Sequence, residues 1–181
     1  MKYKHLVEKP SMCGPACLQM ILLRRHIWID QEIIAKEIGA RIMPSEKEYF
    51  TLRFTVSKNP KNAGINLVDF NKKQVRDFFK KHQLKIKIEV IHISKIKDVK
   101  KFIKENLDKR NDLMVNFHMG YFDKSKDWGH FNLIDGIKGD KITFCDPWPR
   151  NKSYWTTTIS DLVAAMDKKT DGRERGFIVF S

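Results

Sequence analysis

The chain has 181 residues, 41% of them apolar, with 35 Lys and Arg against 22 Asp and Glu for a net charge of +13. That length suits one core of ordinary size and nothing marks a second domain, so residues 1–181 are expected to fold as a single unit. There is no run of eighteen apolar residues to span a membrane and no apolar signal region after Met1 to His5, so a cytoplasmic protein is expected.

In chain order, the first informative stretch is Ser11-Met12-Cys13-Gly14-Pro15-Ala16-Cys17-Leu18. Proline is tolerated in a first helical turn, where its missing N–H would have had no intrahelical partner, so a helix is predicted to start at or beside Cys13. From Ala16 to Leu23 only Gln19 is polar, which predicts a helix buried on nearly all sides. Its open end must then face a cavity if Cys13 is to react. The free N–H groups and dipole there favour thiolate over thiol, and such positions can pull a cysteine pKa from about 8.5 to as low as ~3.5. The same N–H groups can hold an oxyanion.

Asp30 is a plausible N-cap for a short helix through Ile33, Ile34 and Ile38 that ends at Gly39. Residues 40–66, with Pro44, Pro60 and Gly64, are expected to be an irregular excursion with one helical turn, of the kind that borders a binding cleft. Val75, Phe78, Phe79 and His82 share helical spacing within 68–82, and Leu84 to Val90 alternates as a strand with one wet face. Ser94 is expected to cap a helix packing through Ile96, Val99, Ile103 and Leu107. A buried strand follows from Asp112 to Met119, then a polar segment from Asp123 to Asp127.

Gly129-His130-Phe131-Asn132-Leu133-Ile134 is an apolar-rich run ended by Asp135-Gly136, and Lys141 to Cys145 returns after Gly139-Asp140. This is a hairpin pattern. His130 opens one strand and Asp146, sixteen residues on, closes the other, so antiparallel pairing brings both to one sheet edge. There the carboxylate can accept the imidazole Nδ1–H and leave the other nitrogen for a thiol. Pro147 stops the strand. A helix over Ile159 to Met166 and a strand over Gly176 to Phe180 complete an α+β layout, helices first and a mostly antiparallel sheet afterwards.

These placements make Cys13 the candidate nucleophile, His130 the general base and acid, and Asp146 the residue that orients it. Cys17 is expected to be a small buried hydrophobe. Cys145 should point to the opposite face from Asp146 by strand alternation. Trp128, Phe131 and Trp148 flank the site as lining or as core. Cys13, Cys17 and His130 could surround zinc, but no CxxC pair or second ligand cluster supports it, so neither metal nor cofactor is expected. Three cysteines form no disulfide framework, which suits a reducing compartment. Residues 71–109 hold thirteen Lys or Arg against five Asp or Glu. They are expected to be solvated helix faces, since no stacking aromatics interleave with them; a peptide or protein partner is favoured over nucleic acid.

Taken together, Cys13-Gly14-Pro15-Ala16 with its Leu- and Met-bearing helix, Gly129-His130-Phe131 and Asp146-Pro147 resemble the bacteriocin-processing peptidases, which cut leader peptides after a double glycine, and their stand-alone relatives. The resemblance spans nearly the whole chain. It implies a papain-like cysteine proteinase fold and hydrolysis of a peptide or amide bond by Cys13, His130 and Asp146 through a thioester acyl-enzyme. The family usually carries a Gln six residues before the Cys, whose amide completes the oxyanion hole; here Val7 stands there, with Glu8 beside it. An ionised carboxylate cannot donate a hydrogen bond, so either His5, Lys9 or Asn116 substitutes or the chain is slow or inactive. A lapsed peptidase-like domain that binds a peptide or acidic partner, and a thiol-dependent acyltransferase, are therefore alternatives.

Overall fold

The computed structural model describes residues 3–167 and 172–181; Met1 and Lys2, read above as part of the N-terminus, lie outside them. The chain forms α1 (Cys13–Arg24), α2 (Gln31–Glu37), the two-residue strands β1 (Arg41–Ile42) and β2 (Thr55–Val56), α3 (Lys73–Lys81), β3 (Ile88–His92) and α4 (Val99–Asp108). β4 (Asp112–His118), β5 (Gly129–Lys138), β6 (Lys141–Cys145), β7 (Tyr154–Thr158), α5 (Ile159–Ala165) and β8 (Gly176–Phe180) follow. β3 to β8 build one antiparallel sheet in the order β3-β8-β4-β5-β6-β7.

The apolar pattern explains the layers. α1, nearly all apolar, packs with α2 and α3 on one face, where Leu18, Ile21, Ile34, Phe78 and Phe131 share a core. α4 and α5 cover the other face through Ile103 and Leu162 against Phe117, Phe144 and Phe177. β4 and β8, covered on both faces, are buried at every position; β8 reads as an apolar run, whereas β4 also buries Asp112, Asn116 and His118. The expected α+β arrangement of helices on an antiparallel sheet is thus found, with a second helical layer behind it. Part of the 71–109 lysine set lies on the faces of α3 and α4, some in i,i+4 pairs such as Lys101 with Glu105 and Lys104 with Asp108, whereas Lys85, Lys87, Lys95 and Lys97 lie outside those helices.

Several boundaries differ from expectation. α4 is capped by Asp98, which accepts from the Lys101 N–H at 2.9 Å, while Ser94 lies in a separate 3-10 turn over Ile93–Lys95. β3 starts only at Ile88, because Leu84 still closes α3 by donating to the Phe79 carbonyl. β5 does not stop at Asp135-Gly136; a bulge between Ile134 and Gly136 absorbs one residue and pairing resumes to Lys138. The excursion over 40–66 contains two 3-10 segments, Pro44–Tyr49 and Pro60–Asn62, and the parallel β1–β2 pair instead of a single turn. The strand expected over Gly176 to Phe180 is found and lies between β3 and β4.

Gly176 is where β8 approaches β3 most tightly. A Cβ there would lie 2.1 Å from the Ile91 carbonyl oxygen and 2.9 Å from the His92 Cα. Backbone cannot yield as a side chain can, so Gly176→Ala should destabilise the fold by about 1–3 kcal/mol. Urea denaturation checks this, and an unchanged midpoint would refute the packing argument.

Candidate active site

Cys13 is the first residue of α1, and the N–H groups at this helix start have no acceptor within the helix. Met12 precedes it, with its N–H on the Lys9 carbonyl and its own carbonyl accepting from Ala16. Gly14 packs so closely on Ile65, in the loop before residues 67–71, that a Cβ would sit 2.6 Å from Cγ2, with the Phe131 ring of β5 next at 3.5 Å. Among the three cysteines, Cys13 is half-buried and the other two are buried. Burial pushes the Cys17 thiol well above its ordinary pKa, and its sulfur rests against the Phe131 carbonyl at 3.4 Å. Burial likewise pushes Cys145 up to about 12. Both are poor nucleophiles on that ground.

His130 and Asp146 meet where the hairpin places them. The imidazole Nε2 lies 2.8 Å from Asp146 Oδ1, so Nε2, not the expected Nδ1, takes the carboxylate and Nδ1 is left for another partner. A ring nitrogen of His130 and the Cys13 sulfur lie within 4.8 Å of each other. Burial works against a charged imidazole here, but hydrogen bonds to Asp146 and Cys13 outweigh it and carry the His130 pKa well above its usual value. The ring is edged by Phe117 at 5.9 Å and Trp148 at 6.3 Å between centroids, which fixes its plane.

Asp146 is fully buried and its oxygens are saturated. Besides His130, the Trp148 N–H donates to Oδ1 at 2.9 Å, and Asn151 Nδ2 and Trp155 Nε1 each donate to Oδ2 at 2.7 Å. With its amide turned to suit its neighbours, Asn132 adds a donor to Oδ1 at 3.1 Å. Burial alone would raise this carboxyl, yet His130, Asn151 and the Trp148 N–H hold it down at about 2. Asp146 is therefore a permanent anion behind the imidazole. Asn132, Asn151 and Trp155 carry no motif, which is why the sequence does not single them out.

The remaining expectations divide. Trp128 and Trp148 meet in a tilted pair at 5.8 Å between centroids and line a shallow hollow with Met119, Lys126 and His130, whereas Phe131 is core, against Phe70. Val7 points outward and is 53% exposed. None of the three substitutes for the missing amide is free to act as one. His5 bonds the Asp146 carbonyl at 2.8 Å, Lys9 pairs with Glu32, and Asn116 donates to the His130 carbonyl at 3.1 Å while accepting from Arg175 at 2.8 Å. Glu8 instead enters the site, its carboxyl within 4.8 Å of both the Cys13 sulfur and the His130 ring nitrogen. The extended alternation Val7 out, Glu8 in is the signal that could have found it. The trio is, among the described residues, the grouping of Cys, His and acid side chains compact enough to share a cation, and it replaces the Cys13, Cys17 and His130 set considered from sequence.

Comparison with known proteins gives the family and the fold. No curated protein matches the sequence. The crystal structure of a protein from Bacillus anthracis described as a C39-like peptidase superposes with a TM-score of 0.62 at 12% identity, over 99% of this chain and 94% of that one. The fold is thus papain-like, and no helix among the described residues is long and apolar enough to cross a membrane. Residues 2–169 match the model of the Peptidase_C39 like family, to which the chain belongs.

Proposed function

We propose that the chain is a cysteine peptidase or amidase that cleaves a peptide or other amide bond through Cys13, His130 and Asp146, with all 181 residues acting as one domain. Cys13 passes its proton to His130 ahead of attack, in keeping with the raised His130 pKa, and Sγ then attacks the carbonyl carbon; His130⁺ protonates the leaving amine as the C–N bond breaks, giving a thioester. Water, deprotonated by His130, releases the acyl group and restores the thiol. An amine in place of water would make the same site an acyltransferase. The observation that carries this function is the convergence of one accessible sulfur, one imidazole and one saturated carboxylate from α1, β5 and the end of β6. Cysteines that are all free suit a reducing compartment, and the cytoplasm is the proposed location.

A thiol-directed probe tests it. Cys13 should be labelled long before Cys17 or Cys145 in the native protein, and His130→Ala should slow that labelling. Equal labelling of all three would refute the assignment. A second function, a peptidase-like domain that holds a peptide without cutting it, is favoured by the presence of a carboxyl where a donor is needed. It predicts fast labelling of Cys13 but no cleavage of any member of a peptide library.

A further inference from the structure

One buried acid has no role in the chemistry above. Glu8 is 8% exposed, and its Oε2 has no hydrogen-bond partner although it is enclosed by protein. Its aim is set by the backbone on either side. The Gln31 side chain, itself buried, accepts from the Lys9 N–H at 2.7 Å and donates to the Val7 carbonyl at 3.2 Å, while the Glu8 N–H donates to the Pro147 carbonyl at 2.9 Å. Clamped at three points, the segment presents the Glu8 carboxyl to Cys13 and His130.

An ionised carboxylate in that enclosure would keep a desolvated oxygen without a donor, at considerable cost. A neutral carboxylic acid instead carries an O–H that needs an acceptor. We propose that Glu8 acts as a neutral acid whose O–H donates to the carbonyl oxygen of the acyl group under attack, completing an oxyanion site with the N–H groups at the start of α1. The role rests on Cys13 being the nucleophile. As the S–C bond forms, the C=O π pair moves onto oxygen and is held by the Glu8 O–H. When the tetrahedral species collapses, that pair re-forms C=O and the leaving group takes its proton from His130, so Glu8 keeps its own proton throughout.

The charges around Glu8 agree with a neutral acid. Burial pushes its pKa up, the His130 imidazolium draws it down, Asp146 adds to the rise, and the outcome is about 7. Cys13 and Cys17 of α1 are the other titratable groups turned toward it. Lys9 and Glu32 neutralise each other, and His5 is held by the Asp146 carbonyl.

The test uses the full chain, its Glu8→Gln and Glu8→Ala variants, and two probes read at Cys13 by intact mass. Para-nitrophenyl acetate acylates through an oxyanion; iodoacetamide alkylates without one. Relative to alkylation at the same pH, wild-type acylation should fall tenfold per pH unit above about pH 7, as a single required proton is lost. Glu8→Gln, which donates at every pH, should lack that fall. Glu8→Ala should acylate about 100- to 1,000-fold more slowly while alkylating at nearly the wild-type rate. The same alkaline fall in Glu8→Gln, or equal loss of both reactions in Glu8→Ala, would overturn the donor role and leave Cys13 as nucleophile. No acylation of wild-type Cys13 would overturn both. Thermal melts give an independent check on the proton. A native pKa above the unfolded value contributes stability below about pH 4.5 that is lost as pH rises through about 7, so the melting temperature of Glu8→Gln should gain on wild type over that interval.

Discussion

His130→Ala should lower turnover about a millionfold, the scale on which a single member of a nucleophile–base pair matters. The expectation applies below about pH 7, where Glu8, which also faces the sulfur, is a neutral acid and cannot take the proton. His5 also lies beside Asp146, but its Nε2 is committed to the Asp146 backbone carbonyl. Asp146 is a buried anion with five donors around it, held at about 2, and so cannot serve as a base near neutral pH. Asp146→Asn should cost less, about ten thousandfold, because the ring stays in place while its preferred tautomer and the stabilisation of its charge are lost. Single-turnover acylation of Cys13 in each variant measures both effects. A loss below tenfold in His130→Ala would mean that the imidazole serves packing alone.

The parts of this arrangement that could be read from sequence are those governed by local rules. Gly14-Pro15 after Cys13 sets a helix start, and apolar residues through Leu22 demand burial, so α1 follows from composition alone. The β5–β6 hairpin follows from two β-rich runs and a Gly-Asp turn, and it carries His130 to Asp146. Elements decided by tertiary contact were less legible. β7 is Tyr-Trp-Thr-Thr-Thr, residue types enriched in strands, but no position is fully buried and no apolar run or alternation marks it, so pairing with β6 is what reveals it. The Ser94 cap was superseded because Asp98 lies directly before the residues that α4 buries. Glu8 is the instructive case. Its residue type marks it as an acceptor, and only the clamp by Gln31 and Pro147, distant in sequence, reveals that it is enclosed beside the sulfur.

The largest single effect on stability should come from Asp112→Ala. Asp112 opens β4, is fully buried, and gathers Arg24 and Arg25 from the end of α1 together with the Tyr3 hydroxyl at 2.8 Å. Arg25 grips one oxygen with Nε at 3.0 Å and Nη2 at 2.9 Å, while Arg24 and Tyr3 share the other. The cluster ties the N-terminal strap and α1 to the sheet, and Arg25 extends it to the Phe180 carbonyl of β8 at 3.1 Å. Removing one partner of a buried pair costs about 3–5 kcal/mol, chiefly because the groups left behind lose their counter-charge. The two guanidinium groups are about a quarter exposed, at 24% and 26%, and can recover some hydration, so the lower end applies. The buried Tyr3 hydroxyl cannot recover any. For a chain of this size about 3 kcal/mol corresponds to a fall in melting temperature of roughly 6–12 °C. Asp112→Asn keeps an acceptor for Tyr3 and should lose less. Because the strap continues from Tyr3 through His5 to Glu8, Asp112→Ala should also loosen the segment that aims Glu8, lowering Cys13 acylation more than alkylation. Denaturation midpoints falling by the equivalent of less than 1 kcal/mol would show that water replaces the carboxylate without penalty.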